Sequence, residues 1–157
     1  MTEHRVTIAR HAIERDPGRL VCVGLGSCVA IALHDPAAKV GALAHVLLPN
    51  SNGVEGAHPA RFADTAVPLL IRTLQRHGAH GPYAAKLAGG AALFADVLAP
   101  QGRVGERNVA AARAALAAAG IPIAAEDVGG VEGRSISFDV GSGTMAVRKP
   151  SGEAHVL

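Results

Sequence analysis

Val29-Ala30-Ile31-Ala32-Leu33-His34 and Val40-Gly41-Ala42-Leu43-Ala44-His45-Val46-Leu47 decide the fold, with the turn-forming Asp35-Pro36-Ala37-Ala38 between them. Both runs read as strands. A hairpin with Asp35–Ala38 as its loop sets His34 against Lys39, Ile31 against Ala42 and Cys28 against His45. Alternation then keeps Val29, Ile31 and Leu33 on one face with Ala42, Ala44 and Val46, and puts Cys28 with His45 on the other. A register slip of two leaves that pair diagonal neighbours, whereas a slip of one separates their faces.

Working outward, Arg5–Ile13 reads as a strand ended by Asp16-Pro17-Gly18, and Leu20–Val23 as another that runs into Gly24-Leu25-Gly26-Ser27-Cys28. Arg61–His77 is amphipathic at helical spacing, with Ala63, Ala66, Val67, Leu70 and Leu74 on one face and Gly78 after the last turn. Pro68 requires this helix to start near Asp64 or to kink. A second helix is predicted from Asn108, as its cap, to Ala119, with Gly120 as stop. Ile121–Asp127, Ser135–Val140 and Thr144–Lys149 complete the strands, and the polar Asn50–Pro59 is a surface loop. Strands dominate, and several are apolar on both faces, which calls for stacked layers.

At 157 residues the chain fits one domain, residues 1–157. Its 49% hydrophobic content is ample for a core, but with 3% aromatics and no Trp that core must be built from Ala, Val, Leu and Ile. A net charge of +2 without a basic block, and almost no stacking platforms, argue against nucleic acid as a partner. No apolar run approaches the ~20 residues of a membrane span, so membrane insertion is not expected. The N-terminal residues lack the apolar core of a signal peptide, and two cysteines are too few for a disulfide scaffold. The chain reads as cytoplasmic, with reduced thiols.

A thiol beside an imidazole is what nucleophilic acyl chemistry requires, since the ring takes the proton and can hold the sulfur as a thiolate. Gly24 and Gly26 allow a tight bend before Ser27-Cys28 that leaves amide N–H groups free to stabilise an oxyanion. The residues also fit a buried small cysteine and a hydrogen-bonded interior histidine, the commoner fates. Gly24-Leu25-Gly26 begins like a dinucleotide fingerprint, but Val29 stands at its third glycine. His77 and His80 lack further ligands for a metal, and no cofactor is expected. Gly89-Gly90 and Gly129-Gly130 suit either turns or close approach to a substrate.

Gly24-Leu25-Gly26-Ser27-Cys28-Val29 and Ala44-His45-Val46-Leu47-Leu48-Pro49 resemble the chemoreceptor glutamine deamidases, the CheD family of bacterial chemotaxis. The likeness continues through Ala63-Asp64, Lys86-Leu87-Ala88-Gly89-Gly90-Ala91, Gly105-Glu106-Arg107-Asn108, Asp127-Val128-Gly129-Gly130 and Arg134. The resemblance implies an α+β fold, a three-layer α/β/β sandwich with mixed sheets like that of toxin glutamine deamidases. It implies Cys28 as nucleophile and His45 as base, with Gly26, Ser27, Gly89 and Gly90 around the oxyanion and substrate. The family's third catalytic position, usually Thr, holds Cys22, a poorer hydrogen-bond partner, which implies either weaker imidazole orientation with reduced activity or orientation by a backbone carbonyl. The partners implied are the cytoplasmic helices of methyl-accepting chemoreceptors and a CheC-type phosphatase. The alternatives are a catalytically weak family member that serves as a binding module and a cysteine hydrolase of another substrate.

Overall fold

The computed structural model describes residues 1–53, 56, 58–93 and 103–157. The predicted loop Asn50–Pro59 therefore lies partly outside the described residues. Ten strands and two α-helices are found among the described residues. The strands are β1 Thr2–Arg5, β2 His11–Arg15, β3 Gly18–Leu25, β4 Val29–Asp35, β5 Val40–Val46, β6 Ala84–Gly89, β7 Ile123–Val128, β8 Arg134–Asp139, β9 Met145–Arg148 and β10 Ala154–Val156. The helices are α1 Ala63–Arg76 and α2 Val104–Ala118.

The strands form two five-stranded mixed sheets, ordered β2-β5-β4-β6-β7 and β1-β3-β8-β9-β10. Every residue of β4 and β5 is buried, because each strand is apolar on both faces and needs cover on both. Val29, Ile31 and Leu33 pack with Ala63, Val67, Leu70, Leu74, Val109 and Leu116 of the helices. Ala30, Ala32 and Leu43 pack on the other side with Leu20, Cys22, Ile136, Phe138 and Met145 of the second sheet. The result is a three-layer α/β/β sandwich with helices, a middle sheet and an outer sheet.

The β4–β5 hairpin has a different register from the one expected. Its loop is Pro36–Lys39, with Asp35 and Val40 as the closing pair, so Ala30 stands opposite His45. The reason lies in Asp35, whose Oδ1 accepts from the Ala38 N–H at 3.0 Å and caps the turn from the strand end, while Lys39 takes φ 53°. The shift is two residues, so the parity of faces survives and Cys28 becomes the diagonal neighbour of His45.

Three further expectations change. Arg5–Ile13 is two strands rather than one: β1 runs parallel to β3 in the outer sheet and β2 antiparallel to β5 in the middle sheet. Val6–Arg10 crosses between them, with Val6 buried in the seam and Ala9 at φ 63°. Helix α2 begins at Val104, so Asn108 is an interior residue rather than a cap. Strands β6 and β10 were not expected; β6 is Ala-rich yet central, paired with both β4 and β7. Helix α1 starts at Ala63 and keeps Pro68 inside, on its exposed side.

Candidate active site

Gly26–Cys28 is the turn that carries the chain from β3 in the outer sheet to β4 in the middle one. Each carbonyl of the turn is held. Gly26 O accepts from the Ala91 N–H, Ser27 O from Asn108 Nδ2 and Cys28 O from the Gly90 N–H, all at 2.9 Å. Among the described residues, the N–H groups of Ser27 and Cys28 donate to no backbone acceptor. Over the outside of the turn lies the half-exposed Leu93, whose Cδ1 would sit 2.9 Å from a Cβ added to Gly26.

Gly89 and Gly90 support the turn from behind. Both are buried at positive φ, and a Cβ on Gly89 would meet the Cys28 carbonyl oxygen at 2.2 Å. A Cβ on Gly90 would meet Val109 Cγ2 at 2.3 Å. The structure thus brings both glycines to Cys28, as backbone packed against it. Beyond them, Gly129 N–H donates to Gly89 O at 3.0 Å, and Ala92 N–H to Gly130 O at 2.8 Å. Buried Arg134 holds that next loop by pairing with Asp127 and donating to the Asp127 and Gly129 carbonyls.

His45 lies on the seam face of β5 and is buried. Its backbone is fastened by the crossing segment, with His45 N–H donating to Arg10 O at 3.0 Å and Ala9 N–H to His45 O at 2.9 Å. Its ring bonds the Val6 carbonyl through Nδ1 at 3.0 Å. A carbonyl only accepts, so Nδ1 carries the proton and the neutral ring keeps its lone pair on Nε2. Nε2 is buried and has no hydrogen-bond partner among the described residues.

Burial lowers the His45 pKa from its ordinary value, against the opposing effect of the Val6 carbonyl. Burial also raises the Cys28 thiol, partly offset by its own backbone amide, which favours the thiolate. Burial thus works against charge on both groups, disfavouring the Cys28 thiolate and the His45 imidazolium alike. Cys22 shares the apolar seam cluster with Cys28 and is fully buried. Burial, reinforced by Cys28, pushes its thiol up to about 12. Among the described residues no hydrogen bond joins Cys22 to His45, and the orienting bond comes from Val6 instead.

A thiol, an imidazole with a free lone pair and two amides without a backbone acceptor are parts from which an acyl-transfer site can be built. Two of its supports escaped the sequence reading. Asn108 is fully buried in α2 and its Nδ2 bonds both Ser27 O at 2.9 Å and Leu47 O at 3.0 Å. Its signal was present: Asn108, Ala112 and Leu116 recur every four residues on the buried face of α2, and Asn is the one polar member. The Val6 carbonyl is backbone and leaves no mark in side-chain chemistry.

A three-layer α/β/β sandwich with a Cys/His seam site is the class of protein these observations define. The model of the CheD chemotactic sensory transduction family matches residues 47–149. A probable chemoreceptor glutamine deamidase CheD 2 of Geobacter metallireducens is 48% identical over 147 residues, covering 91% of each chain. The chemoreceptor glutamine deamidase CheD of Thermotoga maritima is 43% identical over 149 residues, covering 94% of this chain and 92% of its own. A probable chemoreceptor glutamine deamidase CheD of Desulfitobacterium hafniense is 44% identical over 134 residues, 84% of either chain. The chain belongs to the CheD family. Among the described residues no helix is long and apolar enough to cross a membrane.

Proposed function

We propose that this chain deamidates glutamine side chains on the cytoplasmic helices of methyl-accepting chemoreceptors, with Cys28 as nucleophile and His45 as general base. The observation that carries this reading is the free, buried Nε2 of His45, fixed as an acceptor by the Nδ1 bond to Val6 on the face it shares with Cys28. The names of the relatives supply the substrate class.

From a neutral pair, the first step moves a proton. Nε2 takes the Cys28 S–H proton as sulfur attacks the glutamine side-chain carbonyl carbon. The carbonyl oxygen becomes an oxyanion, which the Ser27 and Cys28 N–H groups receive. Imidazolium then returns the proton to the amide nitrogen, the C–N bond breaks, ammonia leaves and a thioester remains. Water, deprotonated by Nε2, attacks the thioester and releases glutamate and the thiol. Proton transfer of this kind contributes roughly 10²–10⁴-fold in rate.

The Val6 bond favours a working catalyst over a binding module, because the orienting role expected of Cys22 is filled without it. The reaction takes place in the cytoplasm, where the receptor helices lie, and a CheC-type phosphatase is a second partner on the same face. The test incubates the protein with a purified chemoreceptor cytoplasmic fragment and measures conversion of Gln to Glu by peptide mass spectrometry. Conversion by the natural protein and none by Cys28→Ala is expected. Conversion that survives Cys28→Ala overturns the assignment.

A further inference from the structure

The peptide units on either side of Ser27 decide where the oxyanion donors point. A trans peptide is planar, so its C=O and its N–H point in opposite directions. Tying Gly26 O to the Ala91 N–H sets the Ser27 N–H, and tying Ser27 O to Asn108 Nδ2 sets the Cys28 N–H. The first tie is backbone to backbone. The second hangs on one side chain, and that side chain comes from a helix more than seventy residues away in sequence.

Asn108 reaches Ser27 because α2 lies unusually close to the chain after β6. A Cβ on Gly105 would stand 2.4 Å from Ala91 O and 2.6 Å from Gly90 C, so only glycine permits this approach. Gly90 is bare for the same reason on the facing side, where Val109 and Gly105 O press against it. The second Nδ2 proton goes to Leu47 O at 3.0 Å, just past the end of β5, so one amide group spans the nucleophile turn and the strand that carries His45. Nothing about the core requires an amide here, since the neighbouring buried positions on this helix face are Val109, Ala112 and Leu116.

We infer that Asn108 is a positioning residue that aims the Cys28 N–H at the developing oxyanion by holding the Ser27 carbonyl from behind. The inference rests on the deamidase reading above and adds a residue to it. Without the tie the Ser27–Cys28 peptide is free to rotate, and the donor is lost although thiol and imidazole remain.

The experiment compares the natural protein with Asn108→Ala and with the milder Asn108→Ser, using a receptor cytoplasmic fragment and, separately, iodoacetamide. Alkylation is a displacement at sp³ carbon and generates no oxyanion. Losing one oxyanion donor costs roughly 10²–10³-fold in kcat, so kcat is expected to fall about 100-fold in Asn108→Ala with KM little changed. Cys28 alkylation should fall far less than kcat, by at most about tenfold, because the same N–H only helps to favour the thiolate. Equal kcat in a folded variant overturns the proposal, and so does a parallel loss of kcat and alkylation, which would place the effect on the Cys28–His45 pair. If Asn108→Ala does not fold, Asn108→Ser is judged by the same two rates. Failure of the deamidase reading is distinct: the natural protein then converts no receptor glutamine in a Cys28-dependent way.

Discussion

The His45 ring and the Val6 carbonyl meet at 3.0 Å across the seam between the two sheets, and that bond fixes which imidazole nitrogen carries the proton and which keeps its lone pair. Val6 sits where the chain leaves β1 for β2, anchored by its own N–H to Val21 O at 2.7 Å. A backbone acceptor held on both sides cannot rotate away as a hydroxyl can. The protein thus orients its histidine through main chain.

Cys22 is therefore expected to be dispensable for chemistry. Cys22→Ala should keep kcat within about threefold, because the tautomer is set by Val6 and not by the thiol. Cys22→Thr should also stay active, but it buries a hydroxyl in an apolar seam and costs about 1–3 kcal/mol if that group finds no acceptor. Urea denaturation and receptor-fragment turnover separate the two effects. A large loss of kcat in a stably folded Cys22→Ala would show that the thiol has a catalytic role.

The two thiols should differ sharply toward iodoacetamide. Cys22 is fully buried with its pKa pushed to about 12, so peptide mapping should find it unmodified when Cys28 is fully alkylated. The Cys28 rate should keep climbing with pH past the ordinary thiol value of 9.0, since burial holds its thiol above that value. His45→Ala should slow the reaction near neutral pH by removing the proton acceptor. A Cys28 rate that levels off below pH 7 would mean a resting thiolate and a different first step.

The pH dependence of activity follows from the proposed proton transfer between Cys28 and His45. His45 must be unprotonated to accept from Cys28, and its pKa is lowered from 6.5. The acid limb of kcat/KM should therefore have its midpoint below 6.5, with activity retained in mildly acidic buffer and lost as pH falls through the lowered value. Stability shifts in the same sense, because the unfolded chain binds that proton first: the contribution is present above 6.5 and is lost as pH falls through the folded value. A midpoint above 6.5 would contradict a buried, uncharged His45.

The sequence made β4 and β5 legible because an unbroken apolar pattern on both faces has few homes other than a middle layer. The face shared by Cys28 and His45 was legible for the same reason, through strand parity. Register was not, because it depends on whether Asp35 sits within the turn or caps it, and that is settled by one hydrogen bond to Ala38. Strand β6 was hidden because Ala84, Ala85 and Ala88 carry no β signal; its place between β4 and β7 is imposed by tertiary packing. Asn108 was misplaced as a cap because Asn is favoured at helix starts, and the glycine that lets the helix begin earlier, Gly105, is a poor helix former kept for a close contact.

Arg134 shapes the candidate site from a distance. Its guanidinium is buried and pairs with Asp127, while Nη1 donates to Asp127 O at 2.8 Å and Nη2 to Glu132 O at 3.2 Å and to Gly129 O. Those bonds hold Asp127–Gly130 against Gly89 and Ala92, which in turn flank the residues bonded to Cys28 and Gly26. Arg134→Leu keeps apolar bulk but leaves several carbonyls without a donor and Asp127, among the described residues, with Lys149 at 3.7 Å and His155 at 2.5 Å. Removing one partner of a buried ion pair costs roughly 3–5 kcal/mol, a large share of the 5–15 kcal/mol typical of a domain. Arg134→Lys should recover little of it, because an ammonium cannot span carbonyls that a planar fork reaches together. The urea midpoint should fall steeply in both variants. A loss below about 1 kcal/mol in Arg134→Leu, within the range of a surface ion pair, would show that the loop behind Cys28 is held by backbone bonds alone.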